Sequence, residues 1–223
     1  MVASVGAAVE TGVGPGAPSG AAAGVPLQLR LFGPLEIRCN GVPLPLPASR
    51  KVRGLLAYLA LAPREVTRSQ LCELLWDVPN DPRGELRWCL SKIRRLLDEA
   101  GRQRVVTLDG AVRLDLSGCI VDAVEVQRGM KAGGATLATA EAEALSALMA
   151  GDLLEGLELD NSPAFAGWLA AQRRQFRGAQ LALLERLAGQ APSEASLGHL
   201  ERWLELAPLD RRVHELYLGA LAR

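Results

Sequence analysis

Leu86–Leu97 reads LRWCLSKIRRLL, and its alternation of apolar and cationic residues decides how the rest of the chain is read. Leu86, Leu90, Ile93 and Leu97 recur at i, i+4, i+7 and i+11, the spacing of one buried stripe on an α-helix. The other side then carries Arg87, Trp88, Ser91, Lys92, Arg94 and Arg95. Trp88, Lys92 and Arg95 share one strip, and Arg87, Ser91 and Arg94 the adjacent one. A helix ~10–12 Å across fits the B-DNA major groove, so a cationic face of this kind suits insertion there. An ordinary solvated amphipathic helix has the same pattern, and periodicity alone leaves both readings open. Trp88 is open in the same way, between an apolar contact to a thymine methyl or sugar and packing against a neighbouring element.

Upstream, the helix is expected to begin at Pro82 or Arg83, after the turn-rich DVPNDP of Asp77–Pro82, and to run to Glu99 with Gly101 as its stop. Thr67-Arg-Ser-Gln70 matches a capping box and opens a short helix with Leu71, Leu74 and Leu75 inward. Ser49 caps a helix running to about Leu61, with Val52, Leu55, Leu56 and Leu59 at helical spacing and Pro63 beyond it. Before it, Leu27–Phe32 and Leu35–Cys39 alternate as strands, and Asn40-Gly41 is a hairpin signal leading into Val42–Leu46. The prolines at 43, 45 and 47 make that last strand an edge. Downstream, Arg104–Leu108, Asp109-Gly110 and Ala111–Leu116 spell a second hairpin.

From Cys119 onward no strand signal competes. Helices are expected near Val121–Lys131, Ala135–Ala150, Pro163–Ala188, Glu194–Glu205 and Arg211–Ala222, with short breaks that suggest stacked helix pairs. Phe165 and Trp168, at i, i+3 beside Leu169, read as packing devices.

The formal net charge is zero, but its distribution is uneven. Arg50–Arg104 holds 12 basic and 7 acidic residues, whereas Ile120–Arg223 holds 10 basic and 14 acidic. A basic segment followed by an acidic one suits one nucleic-acid-facing part and one protein-facing part. Cys39, Cys72, Cys89 and Cys119 are widely spaced without a C-x-x-C pair, which reads as small buried thiols of a reducing compartment. His199 and His214 lack ligand-like spacing. No metal or other cofactor is implied, and phosphate-loop, H-E-x-x-H and G-x-S-x-G patterns are absent, so the chain reads as no enzyme. No apolar run reaches the ~18 residues of a membrane span.

Leu90–Leu97, LSKIRRLL, preceded by Trp76 and a proline-rich loop, resembles the recognition-helix core of OmpR-type winged helices, usually V-S-R-L-R-R-x-L. The upstream LQLRLFGPLEIRCNGVPLPLPASRKVRGLLAYLAL is similar to the opening of the Streptomyces antibiotic regulatory protein family. GDLLEGL at Gly151–Leu157 and PAFAGWLAAQRRQF at Pro163–Phe176 resemble that family's bacterial transcriptional activator domain.

The resemblance implies an α+β chain: a disordered leader over 1–25, an OmpR-type winged helix over 26–118, and a helical, tetratricopeptide-like activator domain over 119–223. In that family a four-stranded sheet precedes the first helix. Lys92 stands where the family usually has Arg, Arg94 and Arg95 match its next two basic positions, and Trp88 falls at a position often apolar and base-facing. Arg113 takes the place of the wing's basic residue, with Val112 replacing the usual aromatic. Asp77, Asn80, Asp81 and Arg83 lie in the loop that touches RNA polymerase in OmpR-type activators. The function implied is sequence-specific transcriptional activation in the bacterial cytoplasm. Its partners would be double-stranded DNA, typically as direct repeats, RNA polymerase and a second protomer on DNA, with no membrane. The alternative is a signalling scaffold whose helical domain binds protein and whose winged helix does not bind DNA.

Overall fold

The first element, β1 (Gln28–Arg30), pairs antiparallel with β2 (Glu36–Cys39), which pairs antiparallel with the two-residue β3 (Val42–Pro43). Asn40 and Gly41 both take positive φ, 54° and 77°, so the Asn-Gly step makes the tight turn for which a Cβ-free second position is best suited. The structure is a computed structural model and describes residues 27–77, 81–99, 101–133, 137–189 and 194–222. The expected leader over 1–25 lies outside them, as does Asn80.

Three helices follow. α1 (Arg50–Leu61) starts at Ser49, whose hydroxyl accepts from the Val52 N–H. After the short β4 (Val66–Thr67), α2 (Arg68–Leu75) opens with the full capping box: the Thr67 hydroxyl accepts from the Gln70 backbone N–H, and the Gln70 side-chain Oε1 accepts from the Thr67 backbone N–H. α3 (Pro82–Leu97) is capped by Asp81, whose carboxylate accepts from the Gly84 N–H at 2.8 Å. It stops earlier than expected, at the Asp98 cap rather than at Gly101. Asp98 is extended, and its carboxylate accepts from the N–H groups of Arg104 and Val105, so it redirects the chain into the next strand. That strand, β5 (Val105–Leu108), forms a hairpin with β6 (Ala111–Leu114) through Asp109-Gly110, and β6 also pairs with β4.

Two expectations are corrected here. A strand does exist after Cys119: β7 (Ile120–Val121) pairs parallel with β1. Among the described residues only three strands therefore precede α1, and the four-stranded sheet, in the order β3-β2-β1-β7, is completed from beyond the second hairpin.

The remaining elements are helices: α4 (Asp122–Ala132), α5 (Thr139–Leu148), α6 (Pro163–Ala188), α7 (Glu194–Leu206) and α8 (Arg211–Leu221). α5 is shorter at both ends than Ala135–Ala150. Each of these helices packs against the next. The chain is thus α+β, a winged helix followed by an all-helical region.

The two parts are stitched together by polar and apolar contacts. The buried Asp122 carboxylate at the start of α4 accepts from the Leu31 and Phe32 N–H groups at 2.9–3.0 Å. The GDLLEGL segment runs beside the β1–β2 turn, with Gly33 N–H donating to Asp152 O and Leu154 N–H to Leu31 O. Arg173 of α6 holds that segment by donating to the carbonyls of Leu153 and Leu154, both at 2.8 Å. A single apolar core then runs from Leu29 and Ile37 through Leu55, Leu90 and Ile93 to Phe165 and Phe176. Phe165 is fully buried and Trp168 partly so, stacked on each other at 5.2 Å between ring centres, the packing role expected for this pair. Leu184, Leu200, Trp203 and Val213 form a second cluster between α6, α7 and α8.

Candidate nucleic-acid interface

α3 divides as its sequence does. Leu86, Cys89, Leu90, Ile93 and Leu97 are buried, so five apolar side chains fix the rotation of the helix about its axis. Burial pushes the Cys89 thiol up to about 11, leaving it an inert packing group. The start of the helix is clamped as well: the Trp76 indole N–H donates to the Glu85 carboxylate at 2.6 Å, and Lys51 sits over the Trp76 ring at 5.1 Å. Nothing on the outward side is needed to hold α3 in place.

On that outward side Arg87, Trp88 and Arg95 are exposed, and Ser91, Lys92 and Arg94 are half-buried. Trp88 leaves 50% of its surface open, so it is not packed away under the hairpin. Its ring instead carries the Lys92 ammonium at 5.2 Å, which holds a flexible cation against a flat apolar surface. The Ser91 hydroxyl donates to the Trp88 carbonyl at 2.7 Å. Among the described residues, none of Arg87, Lys92, Arg94 and Arg95 has a carboxylate within ion-pair distance. Their cationic groups face solvent uncompensated.

The hairpin packs on α3 through β5. Arg113 is exposed, while its neighbours Val112 and Leu114 are buried. Val112 lies in the middle strand, opposite Val66 on one side and Thr107 on the other, so the residue that departs from the family's aromatic is a packing residue here. Leu108, at the tip, is 64% exposed.

The loop before α3 is only partly within the described residues. Asp77 and Arg83 are exposed, and the Asp81 carboxylate is engaged as the helix cap. Arg83 lies not in the loop, as its sequence position suggested, but in the first turn of α3, where with Arg68, Leu86 and Arg87 it lines a surface pocket of about 230 Å³. Arg68 carried no signal in the sequence, because it belongs to α2 and joins the cationic face only through the packing of α2 on α3. The described residues contain no helix long and apolar enough to cross a membrane and no group of three or more metal-ligating side chains.

No protein-family model matches the sequence, and no curated protein matches it. Among solved structures the chain is similar to Mycobacterium tuberculosis EmbR in complex with low affinity phosphopeptide, with a TM-score of 0.65 and 22% identity. The match covers 87% of this chain and 54% of that one, so the chain spans about half the length of its structural neighbour. The likeness shows a shared fold: the winged helix and the helical region behind it.

Proposed function

We propose that the protein is a sequence-specific DNA-binding transcriptional regulator of the Streptomyces antibiotic regulatory type, which places α3 in the major groove. The observation that carries this reading is the outward face of α3, where Arg87, Lys92, Arg94 and Arg95 stand without a carboxylate partner beside a half-open Trp88. A solvated helix gains from i, i+4 pairs that neutralise its charges. This one forgoes them where a polyanion would supply the missing charge. Arg94 and Arg95 have the fork geometry for guanine O6/N7 or phosphate, Lys92 acts as a point charge, and Arg113 reaches the neighbouring backbone from the hairpin.

In this reading residues 26–118 bind DNA and 119–223 activate transcription from the cytoplasm, arranging a second protomer on direct repeats and contacting RNA polymerase, with Asp77 an exposed member of the polymerase loop. Half-sites one helical turn apart, ~10–11 bp, follow from protomers side by side on one DNA face. Because β7 and Asp122 complete the first sheet, a stable DNA-binding fragment should extend past Asp122.

The test is selection of bound sequences from a random duplex pool, followed by Lys92→Ala and Arg94→Ala on the selected site. Each variant should keep its melting temperature. A phosphate contact lowers the slope of log K against log salt by about one, and a base contact relaxes one position by ~1–3 kcal/mol. If the intact chain enriches no sequence and retains no duplex, the helical region's protein contacts become the function and the winged helix a scaffold.

A further inference from the structure

We infer that Arg68, Arg83 and Arg87 form a seat for a DNA backbone phosphate, separate from the base-facing residues of α3. The inference rests on the DNA-binding reading above and adds to it a contact from α2.

The seat is a pocket of about 230 Å³ lined by three arginines and the buried Leu86. Asp81 and Glu73 are close enough for their charges to act on Cys72 alongside those of Arg68 and Arg83. Neither, however, forms an ion pair with any of the three arginines, and the Asp81 carboxylate is held by the Gly84 N–H. Three like-charged residues around one pocket repel one another, and Arg83 and Arg87 are exposed enough for a ligand to reach. An anion with several oxygens relieves the repulsion, and guanidinium forks match phosphate oxygens in pairs.

The surroundings of the seat are rigid. The capping box fixes the first turn of α2. The Arg68 N–H also donates to the carbonyl of Gly110 in the hairpin turn at 3.0 Å, tying α2 to the wing. Arg83 and Arg87 lie one turn apart on α3, and that strip continues through Ser91 to Arg94.

This continuity favours nucleic acid over an acidic protein segment. α3, with 16 residues, is about 24 Å long, twice the ~12 Å width of the major groove. With its Ser91–Arg95 portion at the bases, Arg83 is about 12–18 Å farther along the axis. Arg68, on the helix packed behind, reaches only the backbone bordering the groove. Arg83 is thereby assigned to DNA rather than to the polymerase loop in which its sequence position puts it.

The test uses the full chain with Arg68→Ala/Arg83→Ala, and Arg83→Ala alone as a milder variant, on a selected duplex and on an unrelated one. Because the seat holds a single phosphate, the slope of log K against log salt should fall by about one in the double variant and by less in the single. Both duplexes should weaken by the same factor, leaving the sequence preference intact. If the wild-type chain binds and neither variant changes the slope, the seat does not hold a phosphate. Loss of transcription at saturating DNA occupancy would then assign it to an acidic protein surface. If the wild-type chain binds neither duplex, the DNA reading itself fails and this inference with it.

Discussion

Most arginines of the helical region and those of α3 are treated in opposite ways by the same chain, although Arg174 of α6 is exposed and unpaired like those of α3. Arg128 pairs with Glu125, Arg177 with Asp152, Arg202 with Glu205, Arg211 with Glu215 and Arg212 with Glu185, while Arg173 is spent on two carbonyls. Arg87, Arg94 and Arg95 on α3, together with Arg68, Arg83 and Arg113 around it, have no such partner. Exposure does not explain the difference, since the side chain of Arg211 is 91% exposed and still paired. Engagement of the carboxylates does: Asp98 and Glu99 follow Arg94 and Arg95 by four residues, but Asp98 accepts from the Arg104 and Val105 N–H groups and Glu99 pairs with the Arg104 guanidinium, so neither is left for α3. Cations that have internal partners are structural. On the proposed reading, cations grouped without them are kept for a partner outside the chain.

Mutations can break this contrast at several levels. The largest effect should come from the apolar side of α3. Ile93 is fully buried, and Ile93→Ala should cost about 2–5 kcal/mol of stability, read as a lower denaturation midpoint. An unchanged midpoint with DNA binding lost would mean that the two faces of α3 are assigned the wrong way round. Arg173→Ala comes next. Without the guanidinium the carbonyls of Leu153 and Leu154 lose their donor, which should cost about 2 kcal/mol of stability. Affinity for DNA, measured where both proteins are fully folded, should not change. The smallest effect belongs to Arg211→Ala, whose exposed pair with Glu215 should change stability by at most ~0.5 kcal/mol. A larger loss in a melting curve would show that the ion pairs of the helical region do more than neutralise each other.

How much of this was legible in the sequence depended on the range of the interactions. Both hairpin turns, the Ser49 cap, the Thr67/Gln70 capping box and the two faces of α3 rest on residues a few positions apart, and each reads directly from local pattern. β7 was missed because two residues, Ile120 and Val121, carry no periodicity. They become a strand only by pairing with Gln28 and Leu29 some ninety residues earlier. Asp122 was hidden for the same reason: in sequence it is a polar residue at a helix start, and in the fold it is a buried carboxylate serving the backbone of β1. Burial pushes its carboxyl above the usual range while the hydrogen bonds from Phe32, Leu31 and Ala123 oppose that. In the candidate interface, the α3 residues were readable because one helix presents them. Arg68 was not, because its neighbourhood is set by how α2 packs on α3.

The central claim is tested most directly by reversing the charge of two arginines in each region. Arg94→Glu/Arg95→Glu on α3 is compared with Arg177→Glu/Arg211→Glu in the helical region, with duplex affinity measured at one salt concentration and folding checked by thermal melting. The overall charge changes by the same amount in both proteins, so any non-specific electrostatic effect is shared. The α3 variant should lose at least ~100-fold in affinity, as expected for two base or phosphate contacts turned repulsive, while the helical-region variant stays within a few-fold of the parent. Equal losses in the two variants, or none in either, would contradict the claim that the unpaired cations of α3 are kept for DNA.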